Sequence, residues 1–149
     1  MKRDDSRKPK IRRARLQDAE RLAELSGQLG YPASPAEIVQ RMKEIRPASQ
    51  HAIFVAENAR KVTGWLHVNV TPLLEVALSA EVNGLVVDEN ERSRGAGAQL
   101  LDAAEHWAAK KGCKSMSVRS NVIRNRAHAF YVRQGYEHYK TQKAFRKNL

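Results

Sequence analysis

From Leu85 to Ala98 the chain reads Leu-Val-Val-Asp-Glu-Asn-Glu-Arg-Ser-Arg-Gly-Ala-Gly-Ala, and this run constrains the fold more than any other. A β-branched strand ends, a short polar turn follows, and two glycines open a segment, residues 98–111. That segment sets Leu100, Leu101, Ala104, Trp107 and Ala108 on one helical face and stops at Gly112. The start of a helix leaves backbone N–H groups without partners and carries the positive end of the helix dipole, so it is an anion site. Glycines let a phosphate approach the main chain, and Arg92 and Arg94 add charge and forked donors. Three readings compete for this stretch. A dinucleotide fingerprint requires a third glycine where Leu100 stands, and a nucleotide-triphosphate loop requires Gly-Lys-Ser/Thr, which is missing. A plain structural turn stays open on these residues alone.

The flanking chain supplies the context. Ile11 to Ala14 reads as a short strand, and residues 18–29 carry Leu22, Leu25 and Leu29 at helical spacing with Gly30 as the stop. Ser34-Pro35-Ala36-Glu37 is a capping box with proline at the first helical position; it opens a helix with Ile38, Met42 and Ile45 inward, stopped before Pro47. The period then changes. Residues 52–56 and 62–70 are strand-like runs around the polar turn 58–61, residues 71–78 form a loop, and residues 80–87 form another strand. A strand over 114–120, a helix over 125–134 closed by Gly135, and a short strand pair over 136–147 complete the order. The order β-α-α-β-β-β-α-β-α-β-β predicts a mixed α/β domain with helices packed on the sheet.

Charge is concentrated at one end. Residues 1–15 hold eight basic residues against Asp4 and Asp5, which is +6 of the chain's net +11. Residues 1–10 read as a solvated, disordered arm, and residues 11–149 as a single domain, which is what 149 residues can supply. Such an arm can tether nucleic acid, but no aromatic residue sits among its charges to stack on single strands. No apolar run approaches the ~20 residues of a membrane span, and no apolar stretch follows the first residues to make a secretory signal. The one cysteine, Cys113, excludes an internal disulfide and suits a reducing interior, so a cytoplasmic protein is expected. Spacing for a metal site is absent.

The pieces together resemble the GNAT superfamily of acetyl-CoA-dependent N-acetyltransferases. The likeness rests on Ala80-Glu81-Val82-Asn83-Gly84-Leu85-Val86-Val87, on Arg92 to Gly97, and on Asn125-Arg126-Ala127-His128-Ala129-Phe130-Tyr131 ending in Gly135-Tyr136. The later segments, through Phe145-Arg146-Lys147, are similar to small-amine members such as aminoalkylphosphonate acetyltransferases and some drug-modifying ones. The resemblance implies a central mixed, mostly antiparallel sheet of about six to seven strands flanked by about four helices. It implies acetyl-CoA as co-substrate and a strand that splays from its neighbour, so that Leu85, Val86 and Val87 hold the pantetheine arm. By the same carry-over, amides of Arg92, Ser93, Arg94, Gly95, Ala96, Gly97 and Ala98 hold the pyrophosphate, and Asn121 and Asn125 line the other side. A homodimer through terminal strands is a further implication.

Two residues carry the expected chemistry. Tyr131 has the position of the family's usual general acid, where a phenol meets the charge that develops on a departing thiolate. Glu81 is the candidate base, since an ammonium must lose a proton before it attacks. If the strand is regular, Glu81 shares a face with Asn83, Leu85 and Val87. His67 and His128 lie near these segments and read as surface or packing residues, and Cys113 as a buried structural thiol. The expected acceptor is a primary amine of a small molecule or peptide. The alternatives are a nucleic-acid- or ribosome-associated binding protein that uses the arm, and an acyl-CoA-binding sensor without turnover.

Overall fold

The computed structural model describes residues 8–45, 50–92 and 94–149; most of the basic arm, Pro47 and Ser93 lie outside the described residues. The described residues divide into two compact units, one ending at Val118 and the other Arg119–Leu149. In the first unit β1 (Lys10–Arg13), α1 (Ala19–Leu29) and α2 (Pro35–Ile45) precede β2 (His51–Asn58), β3 (Lys61–Val70), β4 (Ser79–Val87), α3 (Ala96–Lys110) and β5 (Ser115–Val118). The second unit has one regular element among its residues, α4 (Asn125–Arg133).

Local chemistry places the helices. Gly30 ends α1 in the left-handed region at φ 96°, which side-chain-bearing residues rarely adopt. At the start of α2 the capping box closes both ways: the Glu37 N–H donates to Ser34 Oγ at 3.1 Å, and the Ser34 N–H donates to Glu37 Oε1 at 3.1 Å. Leu22 and Leu25 of α1 and Met42 of α2 bury against Val55, Val62 and Val86 of the sheet. On α3, Leu100, Leu101, Ala104 and Ala108 are buried, and the helix packs on β2, β3 and β4. Each such leucine withdrawn from water contributes roughly 1.5–3 kcal/mol.

The sheet runs β1-β2-β3-β4-β5, antiparallel through β4, with β5 parallel to β4 across the α3 crossover. Five strands form where six to seven were expected, because residues 136–147 form no strand. Those residues are mostly exposed and polar, and a two-stranded ribbon with no apolar face to bury is marginal in water. The strand edge on which a homodimer was expected to pair is therefore not formed there.

The register between β3 and β4 carries one shift. His67 faces Gly84, but Val68 faces Val82, so Asn83 is an extra residue in β4. Residues paired across a ladder present side chains on the same face. Trp65–Val86, His67–Gly84 and Asn69–Glu81 therefore share the face covered by α1 and α2. Leu66–Leu85 and Gly64–Val87 share the face covered by α3. The regular alternation expected for this strand is thus corrected: Leu85 and Val87 lie opposite to Glu81, because a single inserted residue inverts the pattern beyond it. Asn83 stays with Glu81, and its Nδ2 donates to Asn69 Oδ1 at 2.6 Å.

Candidate active site

The first part of the site is a strand end and a helix start. β5 pairs with β4 only from Ser79↔Ser115 to Val82↔Val118, so residues 84–87 of β4 pair with β3 alone. Leu85, Val86 and Val87 therefore carry main-chain groups that the β5 ladder does not use. β4 leads through Asp88 and the turn 88–91 into the Arg92–Arg94 segment and then α3.

Gly95 caps α3 from the left-handed region, at φ 83° and ψ 5°, which reserves the position for glycine. Its carbonyl accepts the N–H of Gln99 at 3.1 Å, the first regular helical bond. The amides of Ala96, Gly97 and Ala98 lie before that bond, among the donors that a helix start leaves open. Arg92 and Arg94 are exposed, and Arg94 Nε lies 3.2 Å from Glu91 Oε2. These features fit a diphosphate: open amides, a glycine cap without a side chain, the dipole's positive end and two guanidinium groups. α3 begins at Ala96 rather than at Ala98, so Gly97 sits inside the first helical turn.

The second part is a polar row across the sheet. His51, Asn69, Glu81 and Ser117 stand in register on β2, β3, β4 and β5, all half-buried. Asn69 Nδ2 donates to Thr71 Oγ1 at 2.6 Å, extending the row into the loop. The neighbouring position holds His67, whose Nε2 lies 2.9 Å from His51 Nδ1, with the two rings stacked 5.2 Å apart. Burial, and secondarily the His51 ring, lowers the His67 pKa to about 4, so this imidazole is neutral near pH 7. His67 was expected to be a surface or packing residue; its partner on β2 is visible only through strand pairing. Glu81 contributes a carboxylate to the same face.

Within the second unit, the turn before α4 is held by Asn121. Its Oδ1 accepts the Ile123 N–H at 3.1 Å, and its carbonyl accepts the Arg124 N–H at 2.9 Å and meets His128 Nε2 at 2.8 Å. His128 thus braces the turn, and Asn125 opens α4. Tyr131, nearly two turns on and on a different face of the helix from Asn125, packs edge-on against Phe130 and Tyr136 at 5.3 and 6.0 Å. Burial raises its pKa, opposed by Arg124, so the phenol keeps its proton. Cys113 is half-buried, and burial raises its pKa as well, which disfavours a nucleophilic thiolate.

Comparison with known proteins places this geometry. The model of the Acetyltransferase (GNAT) family matches residues 16–136. The chain is 28% identical over 110 residues to an aminoglycoside N(6')-acetyltransferase type 1 of Klebsiella aerogenes, covering 72% of this chain and 71% of that protein. It is 38% identical over 66 residues to an aminoalkylphosphonate N-acetyltransferase of Salmonella typhimurium, covering 43% of each. Its fold superposes with a TM-score of 0.84 on an aminoglycoside N-acetyltransferase solved in complex with CoA, at 21% identity over 94% of this chain and 95% of that one. With the match spanning the strand, the glycine-capped helix and α4, the chain belongs to the GNAT acetyltransferase family, whose co-substrate is acetyl-CoA.

Proposed function

We propose that the protein moves the acetyl group of acetyl-CoA directly to a primary amine of a small molecule. The observation that carries this reading is the end of β4–β5 pairing at Val82, beside a helix whose first amides are open. Acetyl-CoA supplies an activated thioester. Main-chain groups of Leu85, Val86 and Val87 hold its arm, and the amides and guanidinium groups of residues 92–98 hold its pyrophosphate. Asn121 and Asn125 are assigned to the cofactor by the same family resemblance. Glu81 removes a proton from the acceptor ammonium, directly or through one water. Tyr131 donates a hydrogen bond or proton to the departing thiolate, and burial keeps its phenol protonated for that role.

The acceptor side is read from the face of Glu81. His51, His67, Asn69, Asn83 and Thr71 offer polar donors and acceptors around one carboxylate. That suits an amine carrying hydroxyl or other polar groups, as in the aminoglycoside and aminoalkylphosphonate relatives. The experiment is a panel of aminoglycosides, aminoalkylphosphonates, polyamines and peptides with thiol release as readout. Release above background with a small amine is expected, and none across the panel would overturn the reading. A homodimer rests on the resemblance alone and would use a surface other than a strand at 136–147; light scattering at micromolar concentrations checks it.

A further inference from the structure

Asp88 is a carboxylate only 4% exposed, one residue beyond the end of β4. Its partners come from two directions. From α1, Arg21 Nη2 donates to Oδ2 in an ion pair, and Gln28 Nε2 approaches Oδ1 at 3.4 Å. From its own turn, the Asn90 N–H donates to Oδ1 at 3.1 Å, and the Glu91 N–H donates to the Asp88 carbonyl at 2.8 Å. Gln28 reaches past Asp88 as well, and its Oε1 accepts the Glu89 N–H at 3.0 Å. Arg21 is itself fixed by Nε donating to the Val62 carbonyl at 2.7 Å. The Asn90 N–H, and then Arg21, hold the Asp88 carboxyl below its ordinary range, so it is ionised throughout the neutral region.

The turn held in this way leads directly into the cofactor segment. Its last residue, Glu91, pairs with Arg94, and the next residue is the left-handed cap Gly95. A buried ion pair is a poor device for stability alone, because apolar side chains of similar volume stabilise as well or better. Ion pairs and hydrogen bonds excel instead at fixing one geometry. We propose that Arg21, Gln28 and Asp88 form a latch from α1 that holds the turn 88–91, and with it Arg94 and the Gly95 cap, in the conformation that receives the pyrophosphate of acetyl-CoA. All three are positioning residues, acting on the ligand through the turn. A shift of α1 is thereby transmitted to cofactor affinity.

The inference rests on assigning residues 92–98 to the pyrophosphate, so its test includes a control on that assignment. Affinities for acetyl-CoA and for S-acetylpantetheine, which has the thioester and arm but no pyrophosphate, are measured by calorimetry on the full chain. Gln28→Met and Asp88→Asn are compared with wild type and with Gly97→Val, and each variant is melted. The latch predicts that acetyl-CoA binds roughly tenfold more weakly to Gln28→Met and Asp88→Asn, with S-acetylpantetheine unchanged. A general loss of structure would weaken both ligands alike, and that outcome overturns the proposal. If Gly97→Val weakens acetyl-CoA binding while both latch variants bind as wild type, the latch falls and the cofactor assignment stands. If Gly97→Val also binds as wild type, the cofactor assignment falls too. Gln28 is exposed and its replacement removes only peripheral bonds, so this variant keeps the test decisive if Asp88→Asn does not fold.

Discussion

Glu81 stands directly opposite Asn69 across the β3–β4 ladder, and the extra residue at Asn83 keeps both on the face of Trp65 and His67 while turning Leu85 and Val87 away. One strand thereby serves two tasks. Its first half presents a carboxylate on the face proposed for the acceptor, and its second half offers main chain beyond the reach of β5. In the proposed reaction, Glu81→Gln keeps size and hydrogen-bonding reach but removes the base. Turnover is expected to fall by roughly 10²–10⁴ with acetyl-CoA affinity little changed. Steady-state rates with an acceptor from the amine panel check it; wild-type turnover would remove Glu81 from the mechanism.

Tyr131→Phe removes a hydroxyl and keeps the ring that packs on Phe130 and Tyr136. If the phenol assists the leaving thiolate, the loss appears in kcat, by roughly ten- to a thousandfold, with the cofactor's dissociation constant unaltered. A purely packing tyrosine gives the reverse pattern, with unchanged turnover and a lower Tm.

Gly97→Val places a branched side chain in the first turn of α3, among the amides assigned to the pyrophosphate. Affinity for acetyl-CoA is expected to fall at least about tenfold, or ~1.4 kcal/mol, in a protein that still folds. Calorimetry on the folded variant gives the answer, and tight binding would move the phosphates elsewhere.

His67 sets a pH dependence of stability. Its pKa in the folded protein is about 4 against an ordinary 6.5, so unfolding takes up a proton between those values. The neutral ring's contribution is fully present above pH 6.5 and is lost as pH falls toward 4, up to about 3 kcal/mol. Melts at pH 7.5 and pH 5 should show a larger drop for wild type than for His67→Phe. Equal drops would mean that His67 is not protonated on unfolding in this range.

Much of this protein was written locally. The Ser34–Glu37 box, the Gly30 stop and the Leu22–Leu25 and Leu100–Ala104 stripes each act within a few residues, so the start of α2, the stop of α1 and the buried faces followed from the sequence. The run from β4 into α3 also marked a candidate anion site, because open amides and guanidinium groups are properties of that stretch itself. Tertiary structure decided the rest. The inserted residue at Asn83 became visible only against β3, since a bulge is defined by its partner strand. The His51–His67 pair and the grip of α1 on Asp88 join residues far apart in the chain, and no local period announces either. The strand pair expected over 136–147 failed for the same reason: alternation can suggest a strand, but only a neighbouring ladder and a face to bury can hold one.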